Sequence, residues 1–126
     1  MKPKILYVED FRKCFEITQG VFGNYYNIDW RKNFIEGAMA MNNLEQYCTG
    51  VFDINLDYNS DKSDDEQTKE GFDLIEVIRE RGSALPIICA SKDNYRNEAL
   101  ERGANLFMFK KEFWERGREA LEKLIK

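Results

Sequence analysis

Short, strand-like apolar runs alternate with amphipathic segments along nearly the whole of this chain. The apolar runs predict strands over residues 4–8, 25–31, 51–56, 86–91 and 106–109. Apolar side chains at helical spacing predict helices over residues 11–22, 34–47, 71–80, 94–102 and 112–125. Strands that alternate with helices through short connections form parallel sheets covered on both faces. The pattern therefore predicts an α/β domain with a doubly wound parallel sheet.

Chain length and connection rules narrow this prediction to one domain and one strand order. A chain of 126 residues with 43% apolar side chains can bury a core of its own. The sequence has no internal repeat, so we expect one domain over residues 1–126. Right-handed crossovers leave few topologies, and we predict the flavodoxin-like (βα)5 order 2-1-3-4-5.

Residues 57–70 differ from the rest of the chain, because their sequence, DYNSDKSDDEQTKE, consists almost entirely of acidic and other polar side chains. Such a segment has too little apolar surface to pack in a core, so we predict an inserted polar loop. A solvated insertion is the simplest interpretation, and the alternative is that the loop contacts a kinase or screens the entry of phosphate.

Composition excludes several kinds of chemistry and partner. The chain has no histidine, which excludes a histidine general base, a Ser-His-Asp triad and a histidine-ligated zinc ion. Cys14, Cys48 and Cys89 lie in apolar patterns, and we predict buried free thiols in a reducing, cytoplasmic compartment. The net charge of −4 gives no basis for binding nucleic acid, and no apolar run is long enough to cross a membrane.

Polar side chains lie at the carboxyl ends of four predicted strands. Glu9 and Asp10 follow the first strand, Asp53 belongs to the third, Ser91 ends the fourth and Lys110 follows the fifth. Because the carboxyl ends of parallel strands face one crevice, we expect these side chains to converge. Three carboxylates, a hydroxyl and an ammonium group suit an Asp that accepts a phosphoryl group beside a divalent cation.

Five motifs, in order along nearly the whole chain, resemble the receiver domain of two-component response regulators. They are KILYVED at residues 4–10, the acceptor position Asp53, GFDLI at residues 71–75, the hydroxyl of Ser91, and GANLFMFK at residues 103–110. Each motif alone is common, and their order makes the resemblance specific. The resemblance implies a stand-alone, divergent receiver that switches partner binding when it is phosphorylated.

The resemblance also implies roles in phosphoryl transfer and switching. Asp53 would be the phosphoacceptor, and Lys110 and Ser91 would contact the transferred group. Ser91 and Phe107 would form the switch that rearranges the last two strand–helix units. A turn-forming role for Ser91 and a plain core position for Phe107 are the alternatives.

A metal site is implied by the same resemblance. Mg²⁺ or Mn²⁺ would be bound by the carboxylates of Glu9, Asp10 and Asp53 and by the backbone carbonyl of Asn55. Divalent ions of this kind prefer oxygen ligands. The structural alternative for Glu9 and Asp10 is a solvated turn in which Asp10 is the N-cap of the first helix.

The implied partners are two kinds of protein. The donor would be a histidine kinase or a histidine phosphotransfer protein, because the chain has no histidine of its own; a small acyl phosphate is the other possible donor. A downstream protein would bind the face formed by the fourth helix, fifth strand and fifth helix. The only catalysis expected is self-phosphorylation and autodephosphorylation.

The sequence departs from the receiver pattern near the site. Asp57 and Lys111 stand where the family has prolines, and in an ungapped alignment Lys92 stands where it has a small residue. A shift of one residue would put Ala90 and Ser91 at the hydroxyl and small-residue positions instead, but counting from Pro86 favours Ser91 as the hydroxyl. The connection after the third strand is longer than in the family, and the segment that holds the fourth helix is shorter. The family's lysine–proline bond is usually cis, whereas a cis Lys110–Lys111 bond would cost about 3 kcal/mol, so we expect a trans bond.

Two other functions remain open at this point. A phosphorylation-independent pseudo-receiver would keep the fold and act as a protein-interaction module. A small phosphohydrolase would form an aspartyl phosphate in the manner of haloacid dehalogenase-like enzymes. Those enzymes need a second Asp two residues after the nucleophile, and this chain has Asn55 there.

Overall fold

Five parallel strands form one sheet in the computed structural model, which describes residues 2–56 and 69–125. The strands are β1 (Lys4–Val8), β2 (Asn27–Arg31), β3 (Thr49–Phe52), β4 (Ile87–Ser91) and β5 (Leu106–Phe109). Their order in the sheet is 2-1-3-4-5. The predicted flavodoxin-like α/β fold is therefore confirmed.

Helices connect successive strands and cover both faces of the sheet. Within the described ranges they are α1 (Arg12–Phe22), α2 (Phe34–Met39), a 3-10 helix (Ala40–Gln46), α3 (Glu70–Glu80), α4 (Arg96–Arg102) and α5 (Lys110–Ile125). None of these described helices is long and apolar enough to span a membrane.

The sheet separates two apolar cores, and β1 contributes to both. Leu6 and Val8 belong to the core on the side of α2, α3 and α4. Ile5 and Tyr7 belong to the core on the side of α1 and α5. Successive side chains of a strand point to opposite faces, so a central strand between two helical layers has to be apolar on both.

Strand register brings the carboxyl ends of the strands to one edge of the sheet. Val8, the last residue of β1, pairs with Arg31 on one side and with Phe52 on the other. Ser91, the last residue of β4, pairs with Phe109, the last residue of β5. The residue that follows each strand therefore lies at this common edge.

The third strand is shorter than its predicted range of 51–56. It begins at Thr49 and ends at Phe52. The Asp53 carboxylate accepts the backbone N–H of Ile54 at 2.8 Å, and the chain leaves the sheet there. Ile54 and Leu56 are buried in the core on the α3 side without belonging to a strand. Burial, rather than strand structure, explains their apolar character.

The second helix is interrupted, so the prediction of one helix over residues 34–47 is wrong. The α-helix ends at Met39, and the 3-10 helix continues to Gln46. Asn43 has φ −139° and ψ 46°, which is not helical. Asn side chains compete with the helix for backbone hydrogen bonds, which fits a break at this residue.

Smaller differences concern ends of elements and one thiol. β2 begins at Asn27 and α4 at Arg96, each later than predicted, and α3 begins one residue earlier, at Glu70. Cys14 and Cys89 are buried as predicted, but Cys48 is only half-buried, and all three are free thiols. Of the predicted polar loop over 57–70, residues 57–68 lie outside the described residues.

Candidate active site at the carboxyl edge of the sheet

Three carboxylates meet where β1 and β3 end. Glu9 and Asp10 follow β1, and Asp53 follows β3. One carboxylate oxygen from each lies within 4.8 Å of the other two. Glu9 and Asp53 are 1% and 7% exposed, and Asp10 is half-buried. The alternative of Asp10 as helix N-cap is wrong, because Phe11 occupies the N-cap position of α1.

Lys110 reaches this carboxylate cluster from the first residue of α5. Its Nζ lies 2.8 Å from Glu9 Oε1 and 3.4 Å from Asp53 Oδ2. The Lys110–Lys111 peptide bond is trans, as expected. The predicted convergence of Lys110 with the carboxylates therefore occurs without the family's proline. α5 was predicted to begin at Glu112, but it begins at Lys110. Lys is a good helix former, so Lys110 and Lys111 can extend the helix by two residues.

The three carboxylates and the Lys110 ammonium group together hold more negative than positive charge, and they are largely shielded from water. The pKa of Glu9 is raised from 4.5 to about 7, first by burial and then by repulsion from Asp53, against the attraction of Lys110. Burial also raises the pKa of Asp53. Burial by itself lowers the pKa of Lys110, but Asp53 and Glu9 raise it above its ordinary value. An additional cation would relieve this imbalance.

The turn after Asp53 is held by backbone contacts. Asp53 N–H donates to the Val8 carbonyl at 2.9 Å, and Asp53 Oδ1 accepts from Ile54 N–H. Gly71, at the start of α3, donates its N–H to the Ile54 carbonyl at 2.9 Å. A Cβ at Gly71 would overlap the Asp53 carbonyl and lie 2.7 Å from Ile54 Cα. Only glycine allows α3 to approach the acceptor turn so closely.

Ser91 and Asn55, of which the backbone carbonyl was predicted as a metal ligand, are the other predicted site residues at this edge. Ser91 is 1% exposed, and its Oγ accepts the Asp93 N–H at 3.2 Å. Within residues 2–56 and 69–125 no group accepts the hydroxyl hydrogen of Ser91. Asn55, which is half-buried, lines the same cleft as Asp53, Ser91 and Lys110.

The cleft beside the carboxylate cluster has a volume of about 750 Å³ and is lined by both polar and apolar side chains. Phe11, Cys14, Phe109 and Trp114 contribute its apolar part. None of these four was predicted as a site residue. The apolar periodicity of α1 and of α5 does not show which of their side chains line a cleft shared by the two helices. The one sequence signal was the position of Phe11, which directly follows the acidic pair.

Cys14 is the side chain of this group that comes closest to the charged cluster. Its Sγ lies 3.7 Å from Lys110 Nζ. Burial, followed by the neighbouring Glu9 carboxylate, raises the pKa of Cys14 to about 11. The thiol therefore stays protonated and adds bulk rather than charge beside the ammonium group.

Phe107 lies inside the protein, one strand away from Ser91. It is 1% exposed and packs edge-on against Phe109, with ring centroids 5.4 Å apart. The Arg96 guanidinium lies 5.2 Å from the Phe107 ring centroid and donates to the Phe107 carbonyl at 3.3 Å. Phe107 therefore occupies an inward position with a cation over its ring.

Comparisons with known proteins give matches at the level of structure. No model of a protein family matches the chain, and no curated protein matches its sequence. A response regulator receiver protein from Pseudoalteromonas atlantica is similar over 98% of this chain and 97% of its own, with 15% identity and a TM-score of 0.80. The N-terminal domain of the nisin resistance regulator NsrR is similar over 100% of both chains, with 20% identity and a TM-score of 0.78.

A third match is a structure that contains a magnesium ion. The receiver domain of a sensor histidine kinase from Pseudomonas aeruginosa is similar over 99% of this chain and 98% of its own, with 18% identity and a TM-score of 0.78. In that structure a magnesium ion is coordinated in the active-site cleft. Together these likenesses establish that the chain has the fold of response regulator receiver domains.

Proposed function

We propose that the chain is a phosphoacceptor receiver of a two-component signalling or phosphorelay system, with Asp53 as the acceptor. The observation that carries this proposal is the position of the Asp53 carboxylate. It is nearly buried within the carboxylate cluster, contacts Lys110 and lies on the wall of a cleft of about 750 Å³. An Asp that served only as a structural ion pair would not need an open cleft beside it.

Mg²⁺ or Mn²⁺ is the cofactor that suits this site. Glu9, Asp10 and Asp53 would supply carboxylate oxygens, and the backbone carbonyl of Asn55 would supply another. The donor set supports this proposal, because oxygens of three carboxylates lie within 4.8 Å of one another and the Lys110 ammonium group contacts two of these carboxylates. When bound, the ion would neutralise negative charge on the phosphoryl oxygens.

The side chains around Asp53 would orient the transfer. Ile54 N–H holds Asp53 Oδ1, so Oδ2, on the Lys110 side, would attack phosphorus. As the new O–P bond forms, the bond from phosphorus to the donor breaks and the donor keeps the electron pair. Lys110 would transfer its contact from Asp53 to the phosphoryl oxygens, and the Ser91 hydroxyl would donate to one of them.

The proposed partners follow from the proposed chemistry. A histidine kinase or a histidine phosphotransfer protein would be the donor, since the chain contains no histidine. Ser91 and Phe107 would form the switch, and a downstream protein would bind the face formed by α4, β5 and α5. The pairing of β4 with β5 supports a connection from the site to that face, because Ser91 pairs with Phe109 two residues after Phe107.

A second candidate function is favoured by the position of Phe107. The ring is already buried, and Arg96 contacts both the ring and the carbonyl of this residue. A switch that rests in its inward position could expose a binding face without phosphate. The chain would then act as a phosphorylation-independent interaction module.

The proposed transfer is tested by intact mass after incubation with acetyl phosphate. With Mg²⁺ present we expect the mass of one phosphoryl group on the wild type, and none when EDTA removes the metal. Lys110→Ala should form much less adduct, whereas Lys123→Ala, on the exposed side of α5, should match the wild type. Circular dichroism would verify that Lys110→Ala is folded. Equal adduct in Lys110→Ala and wild type would contradict the proposed role of Lys110.

A further inference from the structure

Two exposed lysines line the cleft beside Asp53 but have no part in the phosphoryl transfer proposed above. Lys92 directly follows Ser91, and Lys111 is the second residue of α5. Both line the same cleft as Asp53, and both are exposed. Neither forms an ion pair with any acidic side chain in residues 2–56 or 69–125. We call Lys92 and Lys111 the rim lysines.

The direction of phosphoryl transfer determines which group the rim lysines would meet. Asp53 is 7% exposed, so its attacking oxygen lies deep in the cleft. In an in-line displacement the leaving group departs on the side opposite to the attacking oxygen. Because the rim lysines are exposed and Asp53 is nearly buried, the rim lysines lie nearer to solvent along this cleft, on the side from which a donor enters and its leaving group departs. Lys110, which contacts Asp53 itself, is instead placed for the phosphoryl oxygens.

We propose that Lys92 and Lys111 stabilise the leaving group and so determine specificity among small phosphoryl donors: of these, the site prefers donors whose leaving group departs as an anion. This inference rests on the proposed phosphoacceptor function of Asp53. Ammonium groups directed at developing negative charge lower the barrier of a reaction that creates such charge. The donor class favoured by this arrangement is the acyl phosphates.

The balance of charge differs between two classes of donor. With an acyl phosphate, the Asp53 oxygen forms a bond to phosphorus while the bond from phosphorus to the acyl oxygen breaks. The acyl group keeps the electron pair and leaves as a carboxylate, with no proton required. With a protonated phosphoramidate, the phosphorus–nitrogen bond breaks, and the positively charged nitrogen takes the electron pair and leaves as a neutral amine. The rim lysines therefore attract the carboxylate that leaves an acyl phosphate, and they repel the protonated nitrogen of a phosphoramidate.

The walls of the cleft strengthen this discrimination. Phe11, Phe109 and Trp114 line the same cleft as Asp53 and the rim lysines, and its volume of about 750 Å³ is large enough for a small acyl group. Apolar walls lower the local dielectric constant, so a charge interaction across the cleft is stronger than one in open water.

The test compares two small donors on the same variants. Second-order rate constants for phosphorylation by acetyl phosphate and by phosphoramidate would be measured by intact mass, at one pH, one ionic strength and saturating Mg²⁺. The informative quantity is the ratio of the two constants, because damage to folding or to metal binding affects both donors and cancels. We expect the ratio to fall about threefold in Lys92→Gln and in Lys111→Gln, which is within the range measured for exposed charge pairs. The two effects should add, so we expect a fall of about tenfold in the double variant.

Two kinds of control isolate the charge and the position of the rim lysines. Lys123→Gln removes an equal charge from α5 outside this cleft and should leave the ratio unchanged. Lys111→Arg keeps the charge and should preserve the ratio. A ratio that stays at the wild-type value in the double variant, or an equal loss with both donors, would overturn this inference while leaving the acceptor role of Asp53 intact. No phosphorylation of the wild type by either donor would overturn the proposed function and this inference with it.

Discussion

At the scale of single residues, the site is defined by carboxylates that folding brings together against their mutual repulsion. Glu9 and Asp53 are buried, and Lys110 is the ammonium group that contacts both. A buried carboxylate without full compensation is costly, and the raised pKa values of Glu9 and Asp53 express that cost. Such an arrangement is typical of functional sites, where local stability is sacrificed for chemistry.

The first prediction concerns the effect of Glu9 on stability as a function of pH. A pKa raised from 4.5 to about 7 means that the folded state holds this proton more tightly than the unfolded state. The contribution of Glu9 to the free energy of unfolding should therefore be greatest below pH 4.5 and fall as the pH rises to about 7. Without metal, the wild type should lose about 3 kcal/mol over this range relative to Glu9→Gln.

Urea unfolding in EDTA from pH 4 to pH 8 would measure this difference. Glu101→Gln, which removes an exposed carboxylate from α4, is the matched control and should parallel the wild type. If the wild type and Glu9→Gln lost stability in parallel, burial of Glu9 would not be the source of the pH dependence.

Sequence reasoning predicted which charged residues meet at the carboxyl edge of the sheet, and it did not predict the apolar residues that line the cleft beside them. Glu9, Asp53 and Lys110 were predictable because each follows or ends an apolar run, and parallel strands end at one edge. Phe11 and Trp114 were not predictable in the same way. Their positions in the cleft depend on how the two helices that carry them are packed, which sequence spacing does not determine.

At the scale of secondary structure elements, polar side chains near element ends explain several differences from the prediction. β3 ends early because the Asp53 carboxylate accepts the next backbone N–H. α4 begins late, and the side chain of Asn94, just before it, accepts the Arg96 N–H at 3.2 Å. Apolar periodicity locates the buried face of an element, but local hydrogen bonds of this kind decide where it begins or ends.

The second prediction tests the close approach of α3 to the acceptor turn. Gly71→Ala should lower the free energy of unfolding by about 2 kcal/mol or more, because its Cβ would overlap the Asp53 carbonyl. Gly20→Ala is the matched control, since a Cβ at this position in α1 meets no atom within 4 Å. It should stabilise the protein by about 0.5–1 kcal/mol through helix propensity.

Urea unfolding at one pH would compare the two alanine variants. A Gly71→Ala protein as stable as the wild type would contradict the account of the acceptor turn. Phosphorylation of the same variant by acetyl phosphate should also slow, because relief of the overlap has to move either α3 or the Asp53 backbone.

At the scale of the whole molecule, the sequence predicted the topology because few alternatives exist. Five strand–helix units with right-handed crossovers and a centrally placed apolar strand are compatible with the observed order 2-1-3-4-5. The inward position of Phe107 could not be predicted in this way. It depends on packing against Phe109 and on Arg96, which reaches Phe107 from another element.

The third prediction links metal binding to global stability. A ligand that binds only the folded state stabilises it by mass action, so Mg²⁺ at about 100 times its dissociation constant should add about 2.7 kcal/mol to the free energy of unfolding. The gain should be largely lost in Asp10→Asn and retained in Asp73→Asn, which removes an exposed carboxylate from α3.

Thermal unfolding with MgCl₂, against NaCl of matched ionic strength, would measure the gain. A shift of the same size in Asp10→Asn as in the wild type would mean that the ion binds elsewhere. Because this experiment needs no phosphoryl donor, it tests the metal site separately from the transfer.

The most direct test of the proposed acceptor role of Asp53 is to locate the phosphoryl group itself. The wild type and Asp53→Asn would be incubated with Mg²⁺ and acetyl phosphate, reduced with borohydride to mark any acyl phosphate, and mapped by peptide mass. The account predicts one modified residue, Asp53, in the wild type and no modification in Asp53→Asn. No modification of the wild type, or a modification that persists in Asp53→Asn, would contradict it.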